Sequence, residues 1–138
     1  MYCHETKIRI RYAETDQMGI VHHSMYALYY EESRTDAMRQ LGYSYREIEE
    51  KGIFMPVVEL KIHYLKPAYY DEILTIRTMI REMPASTIRF EYETFNSHNE
   101  CINKGETLLA FVDRKTRRPV RVPGWLSEAL RPHLSSCQ

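Results

Sequence analysis

The sequence predicts an α+β domain in which one long helix packs against a single curved antiparallel sheet. Three observations indicate this fold class. An alternating segment opens the chain, a stretch with helical spacing follows at residues 24–41, and alternation returns after Gly52. A helix with an apolar stripe must bury that stripe, and one twisted sheet is the only large partner that this order of elements offers. We therefore expect a sheet of about five to six strands that curls around the helix.

The first predicted element is a half-buried strand at residues 6–12, because apolar and basic side chains alternate strictly there. The apolar face of this strand consists of Ile8, Ile10 and Tyr12. The predicted helix comes next, with Ser24 as its N-cap and Gly42 just past its C-terminal end. Its apolar stripe is formed by Tyr26, Tyr30, Ser33, Ala37 and Leu41, and its polar positions include Glu31, Arg34, Asp36 and Arg39.

The second half of the chain predicts the rest of the sheet. Four segments alternate or are continuously apolar, as strands with one or two buried faces are. They lie at residues 58–64, 74–80, 88–94 and 106–113. Residues 120–122 follow a charged turn and extend the sheet, and a short terminal helix is predicted after Pro123.

Composition limits the classes of function. A chain of 138 residues is expected to form one domain, spanning residues 1–138, and its 19 basic and 19 acidic residues balance. This balance argues against nucleic acid or an anionic membrane as a partner. The chain has neither a signal-peptide pattern nor an apolar run of about 18 residues, so membrane insertion is not expected. Three scattered cysteines support neither a disulfide framework nor a zinc site, and a cytoplasmic location is predicted.

An isolated acid, Asp16, stands just before the predicted helix. The segment YAETDQMGIVHHSMY…EESR, residues 12–34, resembles the signature of the 4-hydroxybenzoyl-CoA thioesterase-like acyl-CoA thioesterases. In that family an Asp in a T-D-x-x-G-x-V loop precedes the helix of the hot-dog fold. The similarity continues through YLKPAYYDE (64–72), RFEYE (89–93) and DRKTRRPVRVP (113–123). The resemblance implies a hot-dog fold and hydrolysis of an acyl-CoA thioester to a free acid and coenzyme A.

The resemblance also assigns roles to individual residues. Asp16 matches the catalytic carboxylate, which acts as general base or nucleophile, and Gly19 and Val21 match the turn after it. His23 matches the helix-start position whose backbone N–H holds the thioester oxygen, and its side chain is a second catalytic candidate. The departures from the family pattern are His22, where an aromatic residue is common, and Met25, where an Asn is common. They bear on the substrate more than on the type of reaction.

Further residues are expected to contact the substrate. Tyr26, Val58 and Glu59 are assigned to the acyl pocket, with Glu59 either reaching the pocket from a partner subunit or lying on the polar side of its strand. Arg114 and Arg117 belong to a basic run that either binds the coenzyme A phosphates or forms a soluble turn. Glu31 and Glu32 are alternative catalytic carboxylates, since some hot-dog thioesterases use a helix acid. Otherwise they form a solvated face.

No metal or cofactor is expected, because adjacent histidines such as His22 and His23 rarely converge on one ion without further ligands.

The outer face of a single sheet would need cover, and this favours a homodimer or homotetramer. Acyl carrier protein is an alternative carrier to coenzyme A. Two other functions stay open, namely a hot-dog dehydratase or hydratase acting on acyl thioesters and a non-catalytic acyl-CoA-binding module.

Overall fold

One antiparallel sheet of seven strands forms the framework of the protein in a computed structural model that describes residues 1–134. The chain order is strand, long helix, short helix, six strands and terminal helix. The strands are β1 (Tyr2–Arg9), β2 (Ile53–Phe54), β3 (Val57–Tyr64), β4 (Ile73–Ile80), β5 (Thr87–Phe95), β6 (Cys101–Asp113) and β7 (Pro119–Val120). The helices are α1 (Met25–Gln40), α2 (Tyr45–Glu50) and α3 (Gly124–Leu134), with a 3₁₀ turn at Tyr12–Glu14.

The long strands follow the order β1-β4-β5-β6-β3, and β2 and β7 pair with the far end of β6. Helix α1 packs across β1 and β4. Inward side chains of β4, β5 and β6 alternate with outward ones, as expected for a sheet with one buried face. The predicted arrangement of a long helix on a curved antiparallel sheet is therefore confirmed.

Helix α1 agrees with its predicted bounds to within a residue at each end, and Tyr26, Tyr30, Ser33 and Ala37 are buried as predicted. The assignment of Arg34 to the polar face is wrong, because its side chain is only 4% exposed. Its Nε donates to the Tyr45 hydroxyl at 2.8 Å and its Nη1 to the Tyr92 hydroxyl at 3.2 Å. A buried charge requires such polar partners, and these two lie far from Arg34 in the sequence.

The structure also differs from the sequence predictions at the end of β1 and in the segment after α1. Strand β1 ends at Arg9, and Tyr12 is 77% exposed rather than part of an apolar strand face, because the chain turns into the 3₁₀ segment. Helix α2 was not predicted at all. Its signal is the capping box at Ser44 and Glu47, where the Ser44 hydroxyl accepts from the Glu47 N–H at 3.2 Å.

The outer face of the sheet carries charged side chains rather than an apolar surface. Arg77 pairs with Glu93 at 3.4 Å, and Arg89 pairs with Glu106 at 3.0 Å across neighbouring strands. Such pairs allow the face to be solvated, and its cover by another subunit stays a prediction. The exposed apolar side chains lie instead on and beside β3, where Val57, Val58, Leu60, Tyr64 and Leu65 are each 44–57% exposed.

The structure also bears on the predictions about disulfides and about membrane insertion. Cys3 and Cys101 are free thiols, whereas Cys137 lies outside the described residues. Within residues 1–134, none of the helices combines the length and apolarity that a bilayer crossing requires.

Candidate active site

The loop between the 3₁₀ turn and α1 is closed by its own backbone. The Asp16 N–H donates to the Ile20 carbonyl at 2.8 Å, and the Gly19 N–H donates to the Asp16 carbonyl at 3.0 Å. Gly19 has a φ of +78°, a left-handed conformation that L side chains adopt only with strain. The T-D-x-x-G spacing is therefore a requirement of this turn. The bridge between Thr15 and Val21 completes it at the base.

The turn holds the Asp16 carboxylate by one oxygen. Asp16 Oδ1 accepts the Met18 N–H at 2.8 Å and, more weakly, the Ile20 N–H at 3.4 Å. Within residues 1–134, no hydrogen bond involves Oδ2. The side chain is half-buried, so the geometry leaves one carboxylate oxygen for water or a ligand.

The start of α1 also presents a free polar group. Ser24 stands at the N-cap position, but its hydroxyl bonds to His22 Nδ1 at 2.8 Å and makes no capping bond to the helix. In the described part of the chain, the backbone N–H of His23 has no hydrogen-bond partner. A helix N-terminus carries about half a positive charge. This N–H is thus suited to hold a developing negative oxygen.

Asp16 and His23 both line one cleft of about 350 Å³. The residues around it are Asp16, Ile20, Val21, His23, Tyr26, Tyr64, Leu65, Lys66 and Pro67. The Tyr64 hydroxyl donates to the His23 carbonyl at 2.9 Å, and the Tyr26 ring lies edge-on to the Tyr64 ring. Burial raises the pKa of Tyr26 to about 12, so its phenol is protonated at neutral pH.

The structure brings together only some of the predicted site residues. Asp16, Val21, His23 and Tyr26 line the cleft, and Gly19 shapes its loop. Val58 and Glu59 are exposed on β3 and do not line the cleft of their own chain. Arg114 and Arg117 lie in the turn between β6 and β7, also outside it. The alternative acids, Glu31 and Glu32, lie in another groove, between α1 and β1.

Sequence reasoning missed the second wall of the cleft, formed by residues 64–67 at the end of β3. The quoted YLKPAYYDE motif contained these residues but gave no indication that they face Asp16. Their position follows from the hydrogen bond between the Val21 N–H and the Ala68 carbonyl, at 2.9 Å, which joins the two loops.

The histidines at the helix start do not form part of a metal-binding cluster in the structure. The rings of His22 and His23 stack at 4.3 Å, and His22 Nδ1 bonds to Ser24. Among residues 1–134, no group of three or more metal-ligating side chains converges. That the protein needs no metal stays a prediction.

Comparison with known proteins places the chain in a family. The profile of the thioesterase-like superfamily matches residues 10–130. YneP of Bacillus subtilis (strain 168), named as a candidate acyl-CoA thioesterase, is 34% identical over 129 residues, covering 91% of this chain and 94% of YneP. The acyl-CoA thioester hydrolase YbgC of Escherichia coli O157:H7 is 29% identical over 116 residues, covering 84% of this chain and 87% of YbgC.

Solved structures agree with the sequence comparisons. The crystal structure of a DHNA-CoA thioesterase from Staphylococcus aureus superimposes with a TM-score of 0.84 at 32% identity, covering 99% of this chain and 87% of that chain. The region matched by the family profile includes the Asp16 loop, α1 and every strand after β1. The chain therefore belongs to the thioesterase-like superfamily, and the hot-dog fold and family predicted from its sequence are confirmed.

Proposed function

We propose that this protein is an acyl-CoA thioesterase that hydrolyses an acyl-CoA thioester to a free acid and coenzyme A. One observation carries the proposal: Asp16 and His23 line the same cleft, and within residues 1–134 one carboxylate oxygen of Asp16 and the backbone N–H of His23 have no hydrogen-bond partner. The names of YneP, YbgC and the Staphylococcus aureus enzyme support the substrate class.

The mechanism follows from the chemistry of a thioester. Asp16 either removes a proton from an attacking water or attacks the carbonyl carbon itself and forms a mixed anhydride that water then cleaves. The carbonyl oxygen becomes an oxyanion, which the His23 N–H and the α1 N-terminus stabilise, a contribution of about 3–4 kcal/mol for one donor. The thiolate of coenzyme A leaves readily because thiol pKa values are low, near 8.5 for cysteine, so a strong general acid is not required.

The function is tested by incubating the protein with a panel of acyl-CoAs and a thiol-reactive dye. Release of coenzyme A from at least one member supports a thioesterase. Consumption or formation of a 2-enoyl-CoA without release of thiol would indicate a dehydratase or hydratase. Binding without turnover of any member would indicate a non-catalytic acyl-CoA-binding module, and either result would overturn the proposal.

We also propose that the active protein is a homodimer joined through β3. This strand pairs only with β6 among the described strands, and apolar side chains stand exposed along it. A long apolar edge strand favours pairing with another chain. Antiparallel pairing of two β3 strands about their centre would place Val58 and Glu59 of the partner subunit near Tyr64, which lines the Asp16 cleft. In this arrangement Glu59 contributes to the site across the interface.

Replacing Leu60 by Lys is expected to split the dimer and remove most of the activity, because a charge at the centre of the paired edge is costly to bury. Light scattering at matched concentrations measures the molar mass, and the dye assay measures turnover. Met83→Lys is the matched control, since Met83 is 42% exposed, close to the 44% of Leu60, but lies in the turn after β4. A fully active Leu60→Lys monomer would refute an intersubunit site.

The basic turn is proposed to bind the coenzyme A phosphates. The Arg114 Nη1 donates to the Glu49 carbonyl at 3.1 Å, and the Arg117 guanidinium lies 4.9 Å from the centre of the Phe54 ring. These contacts hold both groups at the end of the sheet beside α2 and β2. Because coenzyme A phosphates do not change during the reaction, contacts to them stabilise the ground and transition states equally.

Replacing both Arg114 and Arg117 with Gln is therefore expected to raise KM about two- to thirtyfold while kcat stays nearly unchanged. This range is the sum of roughly 0.2–1 kcal/mol for each of the two exposed contacts, converted to a ratio of KM values. The effect should shrink at high salt. A short acyl thioester without the nucleotide serves as the control substrate. Equal loss of activity towards this control would show that the turn supports folding or assembly instead.

Several finer points stay predictions. Acyl carrier protein is an alternative carrier, the tetramer is an alternative to the dimer, and the cytoplasmic location and the absence of a cofactor rest on the sequence alone. The acyl group itself is left to the substrate panel.

A further inference from the structure

Glu14 is a buried acid that no step of the proposed mechanism uses. Glu14 is 6% exposed, and both of its carboxylate oxygens accept hydrogen bonds. Oε1 accepts the Arg11 N–H at 2.8 Å and the Tyr29 hydroxyl at 2.9 Å, while Oε2 accepts Arg11 Nε at 3.1 Å and lies 3.0 Å from Arg11 Nη2. Burial acts to raise the pKa of Glu14, but these hydrogen bonds lower it overall, so the group is ionised at neutral pH.

The same residue also joins two backbone segments. The Glu14 carbonyl accepts the His22 N–H at 3.0 Å, next to the bridge between Thr15 and Val21. Its side chain reaches α1 through the hydroxyl of Tyr29, which is 3% exposed. Glu14 thus links the start of the Asp16 loop to His22, just before α1, through its backbone carbonyl. Its side chain links the same point to Tyr29, within α1.

We infer that Glu14, with Tyr29, is a positioning residue that fixes the Asp16 carboxylate relative to the His23 N–H. Asp16 lies two residues after Glu14, and His23 lies one residue after the amide that Glu14 binds. Glu14 does not line the cleft, so it acts through these two groups and not on the substrate. The inference rests on the proposed function, in which both groups act on one carbonyl.

The test uses two conservative variants in the full chain. Tyr29→Phe removes one hydroxyl and leaves the ring, and Glu14→Gln removes the charge and one acceptor oxygen. A displacement of about 1 Å at a reacting group can cost about a hundredfold in rate. We expect kcat to fall roughly ten- to hundredfold in both variants, with KM changed less than about threefold, at a temperature where each variant is folded by circular dichroism.

Two control variants distinguish a loss of kcat caused by a misplaced active-site group from a loss caused by lower overall stability. Tyr2→Phe removes another buried hydroxyl that contacts α1, by its 2.8 Å bond to the Ala37 carbonyl. Asp36→Asn removes a charge from the same helix, where Asp36 accepts from Thr6 at 2.9 Å. Both controls are expected to lower thermal stability while leaving kcat unchanged. If the controls lower kcat as much as Tyr29→Phe and Glu14→Gln do, the role of Glu14 is merely structural and the inference is overturned.

Hydrogen exchange supplies a readout that does not depend on turnover. In Tyr29→Phe and Glu14→Gln the amides of Ile20 and His22 should exchange faster than in the wild type, whereas the amides of β4 and β5 should not. Unchanged exchange at Ile20 and His22 overturns the inference, whether or not the protein is active. An inactive wild type with this exchange pattern would instead overturn the proposed function alone.

Discussion

Replacing Asp16 by Asn is expected to lower kcat by about 10²–10⁴, the usual contribution of a positioned base or nucleophile. The substitution isolates the chemistry, because an Asn side-chain oxygen can still accept the Met18 N–H that Asp16 Oδ1 accepts at 2.8 Å. The Gly19 turn should therefore keep its shape. Substrate binding, measured as the Kd of the acyl-CoA by calorimetry, should change little.

The helix acids provide the control for this prediction. Glu31 and Glu32 are exposed and lie in the groove between α1 and β1, not in the Asp16 cleft. Glu31→Gln and Glu32→Gln should each change kcat by less than about tenfold, below the range of a positioned base. An active Asp16→Asn together with an inactive Glu31→Gln or Glu32→Gln would transfer the catalytic role to the helix.

Replacing Gly105 by Ala is expected to destabilise the fold more than replacing Gly124 by Ala, and these are the two glycines of the chain that do not have a positive φ. Gly105 lies in β6 directly beneath α1, and a Cβ there would stand 2.5 Å from Tyr30 Cε2 and 2.7 Å from the Lys61 carbonyl oxygen. Tyr30 cannot move easily, since its ring stacks on Tyr92 at 4.1 Å and its hydroxyl donates to Asn103 Oδ1 at 2.6 Å.

Overpacking of this kind costs about 1–3 kcal/mol, and in a domain of this size a loss of that order lowers Tm by roughly 3–15 °C. Differential scanning calorimetry measures the change. Gly124→Ala is the matched control, because within residues 1–134 no atom other than those of its chain neighbours and its own helix backbone lies within 4 Å of the added Cβ, and Gly124 lies at the start of α3. A Gly105→Ala protein as stable as the Gly124→Ala protein would show that α1 can shift away from the sheet.

The site could be predicted from the sequence only where its residues are close together along the chain. The T-D-x-x-G spacing, which ends at Gly19, and the resemblance around it indicated Asp16 and His23, and both line one cleft. Tyr64 could not be found in this way, because it meets the His23 carbonyl from 41 residues away. Glu14 was missed for a similar reason. Its role depends on a hydroxyl supplied by α1, and an acid in a turn is ordinarily a solvated group.

The sequence by itself determined the order of α1 and the long strands, the bounds of α1 and the loop that carries Asp16, because periodicity, caps and a glycine turn act over a few residues. Tertiary structure alone decided which charges are buried and which apolar side chains are exposed. Arg34 is buried because two distant phenols accept its hydrogen bonds, and β3 is exposed because β6 is the one strand that pairs with it within residues 1–134. Burial is a property of the neighbours that the fold supplies, and a local pattern does not contain them.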